Sequence, residues 1–157
     1  MPSKPMPIAS VAFALLAAAF SLSVMAAKEP CSLLTMQQVS AAMGVSMAAG
    51  QSPVPEGCFW EESGKRTGRH VSLRIGTPKQ FANGKTPLPG TEKPAVTGVG
   101  DEAYYSYFVQ PRYDKLKIVD IHFKKGDAIL AIELRGLALE EAKAKAKTLA
   151  LDALKNL

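Results

Sequence analysis

The sequence predicts a single α+β domain: an antiparallel sheet of about five strands, with a short N-terminal helix and a long C-terminal helix packed on it. Three observations predict it. Apolar and polar residues alternate with period two through Val71-Ser72-Leu73-Arg74-Ile75 and again through Val119-Asp120-Ile121-His122-Phe123. A final run rich in Ala, Glu, Lys and Leu, free of Pro and Gly from Leu139 to Asn156, has strong intrinsic helix propensity. Short Gly- and Pro-containing segments separate the strand candidates, as turns between antiparallel neighbours do.

The chain begins with a different signal. Lys4 is followed by an apolar run from Ile8 to Val24, then by Val24-Met25-Ala26, a small-residue cleavage pattern. We read residues 1–26 as a secretory signal peptide and 27–157 as one exported domain, periplasmic or secreted. An uncleaved anchor is the alternative for this segment. Lys28-Glu29-Pro30 ahead of Cys31 lacks the small aliphatic residues that lipid modification requires. Cleavage lowers the formal charge from +5 to +4, because Lys4 is the single charged residue removed. So small an excess gives mild attraction to anionic surfaces and no case for nucleic acid. In an oxidising compartment the two cysteines, Cys31 and Cys58, pair as one structural disulfide. Their wide spacing is unlike a redox C-x-x-C motif.

Within the exported part, Thr35 and Gln38 form a capping-box signature and Gly44 a stop, which predicts a helix over Met36–Met43 with Leu34 as a hydrophobic staple. Strands follow at Gly57–Glu62 and Arg69–Ile75, joined as a hairpin. The stretch from Thr77 to Gly98 carries four prolines and, apart from a helical turn near Lys79–Asn83, reads as a long loop free to contact a partner. A meander is predicted from Ala103–Val109, Leu116–Lys124 and Ala128–Arg135. On the last helix, Ala142, Ala146, Leu149, Ala153 and Leu157 share an apolar face, with Glu140 and Glu141 at its start and Lys155 at its end.

Candidate chemistry is sparse. His70, Asp120 and His122 stand on polar strand faces and could hold a metal if their strands were neighbours. Gly98-Val99-Gly100-Asp101 precedes a strand and lacks the Lys-Ser/Thr ending of a phosphate loop, so it reads as a tight turn presenting Asp101. No cofactor motif stands out. Trp60, Tyr104, Tyr105, Tyr107, Arg112 and Tyr113 form the candidate binding set: Trp60, next to the cysteine pair, reads first as core with ligand stacking as the alternative, and of the two faces of the tyrosine strand one should be core while the other, if exposed beside Arg112, suits protein or envelope recognition. Lys143, Lys145 and Lys147 do not fall on one helical stripe, so they predict a solvated helix in preference to a peripheral membrane contact.

Cys-Ser-Leu-Leu-Thr at 31–35, Cys58 with Trp60, and Gly-Val-Gly-Asp-Glu-Ala at 98–103 resemble a family of small exported bacterial domains of unknown function. The resemblance implies a disulfide from the first cysteine to the Cys-x-Trp strand and a PsbP-like α+β fold, and it implies no catalytic residues. The functional expectation is a non-enzymatic exported module binding an envelope protein or cell-surface component. The alternatives are a small metal-dependent or hydrolytic enzyme using His70 and His122, and a small apolar-ligand carrier.

Overall fold

The structure, a computed structural model, describes residues 28–65, 67–109 and 118–157. The proposed signal peptide, Arg112 and Tyr113 lie outside the described residues. A 3-10 turn (Pro30–Ser32) leads into α1 (Met36–Met43), where Thr35 and Gln38 form the reciprocal capping box and Gly44 ends the helix at φ 69°. The elements that follow are β1 (Gly57–Glu61), β2 (His70–Ile75), α2 (Pro78–Gly84), β3 (Thr91–Glu92), β4 (Ala95–Val96), β5 (Glu102–Phe108), β6 (Ile118–Lys125), β7 (Ala128–Arg135) and α3 (Leu139–Lys155). All strand pairings are antiparallel, in the order β1-β2-β7-β6-β5-β3, with β4 pairing β5 as well.

One face of this sheet is the core. Cys58, Trp60, Val71, Leu73, Ile132, Leu134, Ile121 and Phe123 are all buried there, against Leu149 and the alanines of α3. Ala142, Ala146, Ala150 and Ala153 are fully buried, and their small side chains let the helix lie close on β6 and β7. Leu157 falls beyond the helix end and is 40 % exposed, so it does not extend that face as its spacing predicts. Two cations bind α1 to the rest: Arg69 donates to the Met43 carbonyl and Lys145 to the Ala42 carbonyl, satisfying the last acceptors of the helix.

The disulfide is formed. Cys31 and Cys58, with Cα atoms 5.0 Å apart, join the 3-10 turn to β1. Closing a loop of sequence separation 27 constrains the unfolded chain by up to about 3.6 kcal/mol. Gly50 passes over this bridge so closely that a Cβ there would lie 2.7 Å from the Cys58 sulfur and from the Trp60 indole nitrogen. That contact seats residues 48–51 along the outer edge of β1, where Gln51 and Phe59 exchange backbone hydrogen bonds. The edge is thereby covered.

The segment from Thr77 to Gly98 departs from the expected loop. Pro78 opens α2 instead of preventing it, because the first helical position needs no N–H, and Thr77 with Gln80 repeats the capping box of α1. β3 and β4 then close the far side of the sheet against β5. The Gly98–Asp101 motif also has a structural use. Gly100, at φ 59°, lies against the Lys124 carbonyl, and Asp101 accepts hydrogen bonds from the Gly126 amide (2.7 Å) and the Lys125 ammonium (3.0 Å). Asp101 thus fastens the β6–β7 turn, and those two donors hold its carboxyl below the usual aspartate range.

Candidate functional site

The second face of the sheet is covered differently. At one end α2 places Phe81 over Tyr104 and Ile129, a small separate apolar cluster. Among the described residues no helix crosses the rest of this face. Strand register sets an unbroken polar row across it: Ser72 opposite Glu133, Glu133 opposite Asp120, and Asp120 opposite Ser106. A parallel row runs Arg74, Ala131, His122, Tyr104.

The charges in these rows are unevenly satisfied. Glu133 is held from both sides, by the Arg135 Nε at 2.6 Å and the Arg74 Nη2 at 3.6 Å. Asp120, directly across from it, is half-buried and has no hydrogen bond or ion pair among the described residues. Burial first, and then the Glu133 carboxylate, push the Asp120 carboxyl up to about 7; Arg74, Lys93 and Arg135 oppose that shift without cancelling it. Two like charges facing each other across a strand pair are a destabilising arrangement. His122 stacks on Tyr104 with ring centroids 4.7 Å apart, and burial, aided by Lys93 and Arg74, lowers its imidazole to about 4. It is neutral at neutral pH. The Tyr104 hydroxyl, pushed up to about 12 by burial, donates to the Phe81 carbonyl at 3.3 Å. Ser72 is 1 % exposed and its hydroxyl has no partner among the described residues.

The strand order separates the residues that a metal site would need. β7 lies between β2 and β6, and His70 aligns through Arg135 with Ile118, four residues before His122. Ideal strand spacings put the two histidines roughly 17 Å apart, beyond any shared coordination. Only Asp120 and His122 are brought together. Among the described residues no group of three or more His, Cys, Asp or Glu side chains could hold a metal ion.

The aromatic set is likewise redistributed. Trp60 is 1 % exposed and fills the core beside the disulfide, so it offers no surface for stacking a ligand. The expectation of one open tyrosine face fails because β5 is covered on both sides. Tyr104 lies under α2, whereas Tyr105 and Tyr107 face α3: Tyr105 donates to the Lys143 carbonyl at 2.9 Å, and the Lys143 ammonium lies 4.4 Å from the Tyr107 ring, whose hydroxyl donates to Glu92 of β3 at 2.7 Å. Phe108, the last residue of β5, and Val109 just after it are exposed.

The open face ends in a cleft at β1 and β2. A hollow of about 230 Å³ is walled by Ala48, Gln51 and Pro53 over Phe59. A second hollow, of about 190 Å³, is bounded by Lys65, Gly68, Arg69 and Arg135. Both include Glu61 and His70, so the two adjoin. The Phe59 and His70 rings are tilted against each other at 5.9 Å, and burial keeps the His70 imidazole below its ordinary range. Glu133, Arg74, Lys93, Ser72 and this cleft were not among the sequence candidates. Their signal was the polar half of each alternating strand, which becomes a site only once the strand order is known.

Among the described residues no helix is long and apolar enough to cross a membrane. Compared with protein-family models, with curated proteins and with solved structures, the chain has no match in any of the three.

Proposed function

We propose that this chain is a non-enzymatic, exported module that holds a protein or envelope component against the open face of its sheet. One observation carries the reading: Asp120, half-buried opposite a second carboxylate, has no partner of its own among the described residues. A half-buried carboxylate that faces a second carboxylate across a strand pair is disfavoured in its charged form, and a bound component that donates to Asp120 would offset that cost. Export is supported by the Cys31–Cys58 disulfide and by the apolar, alanine-rich beginning of the chain.

The test is retention of envelope components on the immobilised, disulfide-bonded protein, compared with the Asp120→Lys and Arg74→Glu variants. The reading expects a component held by the wild type and lost, by about tenfold or more, from both variants, each verified as folded by its melting transition. Equal retention by wild type and variants overturns the reading, as does failure of the wild type to retain anything.

A further inference from the structure

The cleft at the β1–β2 end has a composition that the open face as a whole does not share. Its halves differ in chemistry. On one side Ala48, Pro53 and the Phe59 ring make an apolar wall. On the other side stand three cations, Lys65, Arg69 and Arg135, with the carboxylate Glu61 between the halves and with Glu62 and Glu133 paired to Lys65 and Arg135. Each arginine keeps free donors: Arg135 spends its Nε on Glu133 and Arg69 one Nη on the Met43 carbonyl, out of five N–H groups apiece. Lys65 is held by Glu62 at 2.6 Å but is 65 % exposed, so that pairing is weak and readily exchanged. Together the two hollows reach the lower end of the size range of small-molecule sites, about 300–1,000 Å³.

From this juxtaposition we propose that the cleft binds a small organic anion with an apolar body, an aryl or short acyl carboxylate. The body lies on Phe59 beneath Ala48 and Pro53, and the carboxylate accepts from Arg69, Arg135 and Lys65. His70, at the junction, is neutral and supplies one donor and one acceptor to whatever sits above it. Glu61 disfavours a second negative charge on the ligand, which selects monoanions over dianions. This inference does not rest on the Asp120 contact proposed above, although Arg135 lies near both.

Phenylacetate is a suitable probe, with acetate (the charge without the body) and benzyl alcohol (the body without the charge) as controls. In a titration followed by backbone amide shifts of the disulfide-bonded protein, phenylacetate should saturate. The shifts should centre on Gln51, Phe59 and His70, and binding should be at least about tenfold tighter than for either control. Phe59→Ala and Lys65→Glu should each weaken it by about fivefold or more, whereas Glu140→Gln, on the exposed side of α3, should leave it unchanged. Lys65 is largely exposed, so its variant keeps the test open if Phe59→Ala proves unstable. Benzyl alcohol binding as tightly as phenylacetate, shifts centred elsewhere, or no saturation up to the solubility limit overturns the proposal.

Discussion

The two faces of the sheet are built from the same strands and obey opposite economies. On the helix-covered face, alternate residues of β2, β6 and β7 are large and apolar, and α3 meets them with alanines. On the open face the intervening residues include Ser72, Glu133, Asp120 and His122, all at least half-buried, of which only Glu133 has ion-pair partners among the described residues. The first face explains why the domain folds. The second carries unrecovered electrostatic and desolvation cost, and a fold retains such cost most readily where it serves contact.

Substitutions should therefore act with opposite sign on the two faces. The largest effect is expected at Phe123, fully buried on the helix side between Ala103 and Leu130 in register. Phe123→Ala should destabilise by about 3–5 kcal/mol, through lost transfer energy and the cavity left behind. Urea unfolding at constant m-value measures it. A loss below about 1 kcal/mol would mean that α3 does not hold that face shut.

How much of this contrast the sequence displays differs between the faces. The covered face was legible residue by residue, because Val119, Ile121 and Phe123 or Leu130, Ile132 and Leu134 repeat at period two and need only a face to share. α1 was legible for a local reason also, since Thr35, Gln38 and Gly44 each act within one turn. α2 was legible as a helical turn over Lys79–Asn83, but not its start, because Pro78 reads as a breaker unless its position at the first helical residue is known. The open face was illegible for a topological reason. Alternation says that Asp120 and His122 point the same way, but not that Glu133 stands opposite Asp120, nor that β7 separates His70 from His122. Those facts come from pairing strands distant in sequence, which no local pattern specifies. The burial of Tyr104 has the same origin, for it depends on α2 folding back over β5.

The next prediction concerns Asp120 itself. Its carboxyl is raised to about 7, so the folded state binds a proton that the unfolded chain releases near its ordinary value of 3.8. Stability on this account is greatest below about pH 4, falls between pH 4 and 7, and carries the full penalty above pH 7. The shift corresponds to a penalty on the order of 2–4 kcal/mol. His122 acts in the other direction: lowered to about 4, it loses stability for the fold as pH drops from 6.5 toward 4. The two slopes oppose each other over that interval, and the wild-type profile should be shallow there. Asp120→Asn should be more stable than wild type at pH 8 and should lose stability on acidification, since the opposing Asp120 slope is gone while those of His122, His70 and Asp101 remain. His122→Gln should shift the other way, gaining stability relative to wild type from pH 7 down to 4, with His70 alone among the histidines still opposing Asp120. Melting temperatures across this range report both, and an Asp120→Asn profile parallel to wild type would remove the unpaired carboxyl from the comparison. The charges facing Asp120, namely Glu133 and Arg135 from β7, Arg74 from β2 and Lys93 from the segment before β4, are the same in both variants.

The smallest effect should be the most discriminating. Ser72 occupies the open-face position of β2 between two helix-facing residues, Val71 and Leu73, and is as buried as they are. Truncating either neighbour removes packing and must destabilise. Ser72→Ala removes a buried hydroxyl that has no partner among the described residues, and with it a desolvation cost of about 1–3 kcal/mol, against the loss of little volume. The expected result is a domain as stable as wild type or more stable by about 1 kcal/mol, read from the same urea transition. Because Ser72 lies in register beside Glu133, the substitution also distinguishes two sources of the cost on this face. If Ser72→Ala stabilises while the Asp120 pH profile is unchanged, hydroxyl and carboxyl are independent burdens. If it shifts that profile, the hydroxyl in solution turns toward the carboxylates and the row acts as one electrostatic unit.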